Sequence, residues 1–261
     1  MSGIIIATIV VAAVGLFIGL FLGLAAIKFR VETDPREEAV LAVLPGNNCG
    51  GCGFPGCSGL AAAIAKGEAP VNGCPVGGDP VAKQIGEIMG VNAEAGTKMV
   101  AFVMCKGDCE KAKSDYDYTG TADCSMMSFV PGGGPKSCDY GCLGNGDCVR
   151  ACPFDAIHVI NGVAVVDKEA CKACNKCVEA CPKHIIELVP YSANRLVACS
   201  SKDKGPDVMK TCEVGCIGCQ LCKKNCPSDA ITVENFLAKI DYEKCTDCGV
   251  CKEKCPKKCI I

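Results

Sequence analysis

The chain has 261 residues, 26 of them cysteine and none tryptophan, with 27 basic against 29 acidic side chains and a formal charge of −2. That balance excludes the strongly basic stripe of a nucleic-acid binder. The few aromatics leave a small apolar core, so bound metal is expected to supply cohesion. The cysteines come in tight triplets followed by proline, not scattered through the loops of a short secreted chain, which excludes a disulfide scaffold.

In chain order, residues 1–30 are a candidate transmembrane anchor. Gly3 to Ile27 carry no charge, and about 20 apolar residues suffice to cross the hydrocarbon core with some tilt. Lys28 and Arg30 follow. Positive residues favour the cytoplasmic side, so a single pass through the cell (inner) membrane with the remaining domains in the cytoplasm is expected. A cleaved signal peptide needs basic residues ahead of a shorter apolar run, and none precede this one. Thr8 is the only side-chain hydroxyl in the span. Ion pathways need buried polar or carboxylate groups, so any ion path belongs to partner subunits.

Residues 31–90 form a second unit. Asp34 reads as an N-cap, Pro35 as the first helical residue and Glu37 as the residue reaching back, giving a helix through Val43 that stops near Pro45-Gly46. Cys49, Cys52, Cys57 and Cys74 follow as C-x2-C-x4-C-x16-C. Intervening glycines allow tight turns with amides free to bond sulfur, and an apolar helix over about Ser58 to Lys66 is expected behind them. Four thiolates suffice for one [4Fe–4S] cluster; zinc remains the alternative here. Further helix is expected around Val81 to Met89, and residues 91–136 read as a linker with extra cysteines.

From there a pattern recurs at a fixed offset of 74: Cys142, Cys148, Cys152, Cys171, Cys174, Cys177 and Cys181 return as Cys216, Cys222, Cys226, Cys245, Cys248, Cys251 and Cys255. C-x2-C-x2-C-x3-C-P is the thiolate spacing of cubane iron–sulfur clusters. Asn161-Gly162 between alternating apolar residues predicts a type I′ hairpin. The copies, 137–190 and 191–261, each read as loop, short helix, hairpin, loop, helix.

This resembles the bacterial two-cluster ferredoxin, in tandem. The resemblance implies that three cysteines of one motif bind one cluster and the fourth, before proline, binds the other. Carried over, Cys171, Cys174 and Cys177 go with Cys152; Cys216, Cys219 and Cys222 with Cys255; Cys245, Cys248 and Cys251 with Cys226. The remaining set has Cys142, Cys148 and Cys181, but Asn145 stands where the second copy has Cys219. Cys138 is the obvious substitute, although Cys212 lies at the same offset beside a complete set. Cys105, Cys109, Cys124, Cys138, Cys199, Cys212 and Cys259 stay open between a sixth cluster and buried, unligated thiols. At least five [4Fe–4S] clusters are expected.

An uncharged anchor, then CGGCGFPGC from Cys49 to Cys57, then ferredoxin motifs: this order resembles the B subunit of the Rnf complexes, the ion-translocating ferredoxin:NAD oxidoreductases. That resemblance implies an α+β chain made of a transmembrane helix, a small helical [4Fe–4S] domain and tandem ferredoxin-like units. It implies an electron-transfer subunit of a translocase, with reduced ferredoxin as donor and membrane and flavin-bearing subunits, plus lipid, as partners. The same resemblance implies that NAD is reduced on another subunit. The rival is an anchored polyferredoxin serving another reductase or hydrogenase. His158 and His184 read as surface or packing residues, and Lys223-Lys224 and Lys252 to Lys258 either as solvated faces or as patches that attract an acidic ferredoxin.

Overall fold

The structure, a computed structural model, describes residues 2–28, 34–93 and 96–261; Arg30 of the expected positive pair lies outside them. Helix α1, Ser2–Lys28, presents its apolar side chains outward and ends on Lys28. Its Gly3–Ala25 stretch is long and apolar enough to cross a membrane, with a mean hydropathy of 2.9. Thr8 donates its hydroxyl back to the Ile4 carbonyl at 2.8 Å, so the span keeps its own polar groups satisfied.

Three short helices build the next unit: α2 (Pro35–Val43), α3 (Gly56–Ala65) and α4 (Gly78–Met89). Asp34 caps α2 as expected, accepting from the Arg36 amide at 2.9 Å. The side chain that reaches back is Arg36, 2.6 Å from the Asp34 carboxylate, because a guanidinium two residues on pairs with the cap more strongly than another carboxylate can. Val40, Leu44, Leu60, Ile64 and Ile85 form this unit's core, and Cys74 is packed into it.

Strand β1, Met99–Val103, comes out of the segment expected to be a linker. After the helical turn α5 (Cys124–Met127) and the short helix α6 (Asp147–Ala151) comes a hairpin of β2 (Ile157–Ile160) and β3 (Val163–Val166). Ile160 pairs with Val163, leaving a two-residue turn of Asn161 (φ 48°) and Gly162 (φ 76°). Two positive φ values make it the predicted type I′ turn. Helix α7 (Lys176–Glu179) and strand β4 (Ile186–Pro190) follow, and β4 pairs antiparallel with β1 from Met99↔Pro190 to Val103↔Ile186.

The second copy repeats this order. Helices α8 (Gly205–Thr211) and α9 (Leu221–Lys224) lead to the β5 (Ile231–Glu234) and β6 (Leu237–Ile240) hairpin, then α10 (Val250–Glu253). The β1–β4 pairing has a reduced counterpart: Val197 bridges Ile260, and Ile260 is the residue 74 after Ile186. Each copy closes its own apolar core around the hairpin, Ile157, Val163 and Ile186 in the first and Ile231, Leu237 and Ile260 in the second. Leu196, Tyr242 and Ile261 of the second copy pack onto the core of the first.

Candidate metal centres

Many of the cysteines lie near one another, and these neighbourhoods are labelled sets I to VI along the chain. In set I, Cys74 senses the charges of Cys57 and Cys52 and accepts from the Gly77 amide at 3.3 Å. Cys49 enters the same loop beside Cys52, and the Asn48 side chain fixes the Cys57 amide at 2.8 Å. In set II, Cys177 sits among Cys171, Cys174 and Cys152. Backbone amides point at two of these sulfurs, Ala101 to Cys171 at 3.4 Å and Ala156 to Cys152 at 3.5 Å.

At set III the structure brings up a thiol other than Cys138. The cavity between α6 and β4 is lined by Cys124, Cys142, Cys148 and Cys181, with Cys138 absent. The reason lies in α5. Asp147 accepts from the Cys124 and Ser125 amides at 2.8 and 3.0 Å and from the Ser125 hydroxyl at 2.9 Å. Asp123 caps the same turn through the Met126 amide. Asn145, at the position of the missing cysteine, bonds the Met127 sulfur at 3.2 Å and gives its backbone amide to Cys124. A thiol 21 residues upstream thus occupies the place that Asn145 vacates.

Cys138 lines a different cavity with Cys105, Cys199 and Cys212, here set IV. Each copy supplies half of it, the first counted with the β1 segment that pairs to it. Cys138 and Cys212 are 74 residues apart. Cys105 lies two residues after Val103, which pairs with Ile186, and Cys199 two residues after Val197, which bridges Ile260. The bonds match too: the Cys142 amide donates to the Cys105 sulfur at 3.4 Å and the Cys216 amide to the Cys199 sulfur at 3.2 Å. Cys199 therefore pairs with Cys105 across the junction, and Cys124, which stands a similar distance before Cys138, goes to set III.

In set V, Cys216, Cys219, Cys222 and Cys255 line one cavity, joined by Cys259. In set VI, Cys251 senses Cys245, Cys248 and Cys226, and Ala230 donates to Cys226 at 3.4 Å. Cys109 is exposed and stands apart from the sets. His158 and His184, both exposed, line none of these cavities.

The donors are all sulfur. Among the described residues no three His, Cys, Asp or Glu side chains converge where a single ion would sit. Four thiols lining one cavity, drawn from motifs with cubane spacing, suit a [4Fe–4S] cluster. Burial pushes the Cys148, Cys177 and Cys199 thiols up to about 12 and Cys138 up to about 11. Such sites hold thiolates stably only beside a cationic metal, while the inward-pointing amides supply the hydrogen bonds that cluster sulfurs accept.

Comparison with known proteins agrees with this chemistry. A family model for an Fe–S cluster matches residues 44–76. Three models for 4Fe-4S dicluster domains match 135–182, 170–230 and 215–260. The chain is 48% identical to the B subunit of the Na(+)-translocating ferredoxin:NAD(+) oxidoreductase complex of Acetobacterium woodii, over 94% of this chain and 74% of that one. It is 45% identical to the B subunit of the ion-translocating oxidoreductase complex of Methanosarcina acetivorans, over 94% of both. It is 43% identical to the B subunit of the proton-translocating ferredoxin:NAD(+) oxidoreductase complex of Clostridium ljungdahlii, over 94% of this chain and 87% of that one. With its iron–sulfur motifs and this likeness along nearly its whole length, the chain belongs to the family of Rnf-type B subunits of ion-translocating oxidoreductase complexes.

Proposed function

We propose that this chain is a membrane-anchored relay with six four-sulfur sites, taking electrons from reduced ferredoxin at its second repeat and passing them toward the anchor. Bound [4Fe–4S] clusters supply one-electron carriers whose potentials follow charge, hydrogen bonding and solvent. The observation that carries the reading is set IV, built half from each repeat and tied to sets III and V by the Cys142 and Cys216 amides. Without it the two repeats would be separate wires.

The other neighbours continue the row. Gly51 in the loop of set I lies on the Cys174 backbone of set II, and Cys174 senses Cys49. Cys148 of set III senses Cys177 of set II, and the Cys222–Cys226 turn links sets V and VI. The ligand crossing in each repeat, Cys152 with Cys181 and Cys226 with Cys255, staples adjacent sets together.

Direction follows from the two ends. In the second repeat Cys219 and Cys248 are exposed. Around them Lys223, Lys224, Lys252, Lys254 and Lys258 are exposed and, among the described residues, in no ion pair. An anionic electron carrier is drawn to such a face. At the other end, α2 lies between the anchor and Cys49 along the chain. Membrane and flavin-bearing partners take the electrons there and carry out NAD reduction. The anchor gives an ion no ligand, since its one hydroxyl, on Thr8, is turned back on Ile4. Relatives named as Na(+)-translocating and as proton-translocating both have this subunit, which supports an ion path in the partners. The C-terminal domains face the cytoplasm, where ferredoxin is found.

Stopped-flow reduction of the intact complex by reduced ferredoxin tests this. With Cys199→Ala, sets V and VI should still reduce while sets I to III stay oxidised and NADH formation stops. Full reduction and undiminished NADH formation would refute the relay.

A further inference from the structure

Six sets of four use every cysteine except Cys109 and Cys259. Cys259 is the more informative of the two. Only 2% of it is exposed, and it lines the cavity of set V beside four other thiols. Its sulfur lies 3.5 Å from that of Cys255, and Cys216, whose thiol faces the Phe236 carbonyl at 3.7 Å, lines the same cavity. Its carbonyl is pinned by the Ala198 amide at 2.8 Å, which fixes the side chain against the cavity.

The first repeat provides an internal control. Seventy-four residues before Cys259 stands Ile185, equally buried and lining the corresponding cavity of set III. The two cavities share the hairpin and three matching cysteines, Cys142 with Cys216, Cys148 with Cys222 and Cys181 with Cys255, and at this wall position one offers a hydrocarbon and the other a thiol.

We propose that Cys259 is not a fifth ligand but a hydrogen-bond donor into set V, placed to make that site easier to reduce than its counterpart in the first repeat. A cubane takes one protein sulfur per iron, and Cys216, Cys219 and Cys222, at the C-x2-C-x2-C spacing of sets II and VI, already provide four with Cys255. A neutral S–H aimed at ligand thiolates stabilises negative charge, and that charge grows by one electron on reduction. The proton remains on Cys259 throughout. Ile185 can give no such bond. The inference rests on the reading that set V holds a [4Fe–4S] cluster.

Anaerobic redox titration of the full chain, followed by EPR, tests it with three variants. Cys259→Ala should lower the midpoint potential of one cluster and leave the iron content unchanged. Cys259→Ser, which keeps a donor, should recover most of that potential. Ile185→Cys should raise the potential of a different cluster. Unshifted potentials in Cys259→Ala and Ile185→Cys would overturn the proposal. So would loss of one cluster in Cys259→Ala with none lost in Cys219→Ala, since Cys259 would then be a ligand. If neither Cys219→Ala nor Cys222→Ala changes the iron content, the cluster assignment of set V fails instead.

Discussion

Asn145 and Cys124 show how a ligand is moved without losing the site. Asn145 occupies the second position of the first C-x2-C-x2-C motif, and its side chain holds Met127 while its amide bonds the incoming thiol. Cys124→Ala should therefore remove one cluster, about four irons, and adding Asn145→Cys to that variant should restore it; iron and sulfide analysis checks both. Asp147 supports the same thiol. Burial works to raise its pKa, but hydrogen bonds from Cys124 and Ser125 and the charge of Arg150 outweigh it and hold the carboxyl below 3.8. A folded value below the unfolded one means that this stabilisation is complete above pH 3.8 and fades only as pH falls through the folded value. Asp147→Ala should thus weaken the first repeat by about 1–3 kcal/mol at neutral pH, read by anaerobic thermal unfolding. The repeated cysteines were legible in the sequence because their spacing is local. Cys124 and Cys105 were not, since they reach their sites from loops whose length no motif fixes. Asn145 did signal that a ligand was missing, but not which thiol replaced it.

Local elements were the easiest to read. Asp34-Pro35 started α2, and Asn161-Gly162 set the two-residue hairpin turn. Strand β1 was missed because its partner β4 lies more than eighty residues away, and pairing at that distance leaves no periodic trace in a stretch as short as MVAFV. The strand matters for the site: it gives the Ala101 amide to Cys171 and leads directly to Cys105. The helical unit meets the first repeat closely at Gly51, which packs on the Cys174 backbone. A Cβ on Gly51 would lie 2.9 Å from the Cys174 carbonyl oxygen and 3.0 Å from its Cα. Both are backbone atoms that cannot swing away. Gly51→Val should cost the docked state about 1–3 kcal/mol, enough to undock the units roughly tenfold more often at about 1.4 kcal/mol per decade. Iron content should hold while transfer from set II to set I slows by a similar factor, measured by rapid-freeze EPR; an unchanged rate would show that this contact is not on the path.

At the scale of the whole molecule, an apolar N-terminal helix leads into a three-helix unit and two hairpin repeats that are threaded by sulfur. The small apolar cores and the buried thiols point to one conclusion: the fold and the wire are the same object, and metal binding is folding free energy. Loss of set IV should disconnect the repeats without unfolding either, since each closes its own core around its hairpin. The most direct measurement is the iron and acid-labile sulfide content of the full chain, purified without oxygen, beside its Cys138→Ala variant. The account predicts about 24 of each per native chain and about 20 in the variant. About 20 in both, or stoichiometric zinc without sulfide, would contradict it.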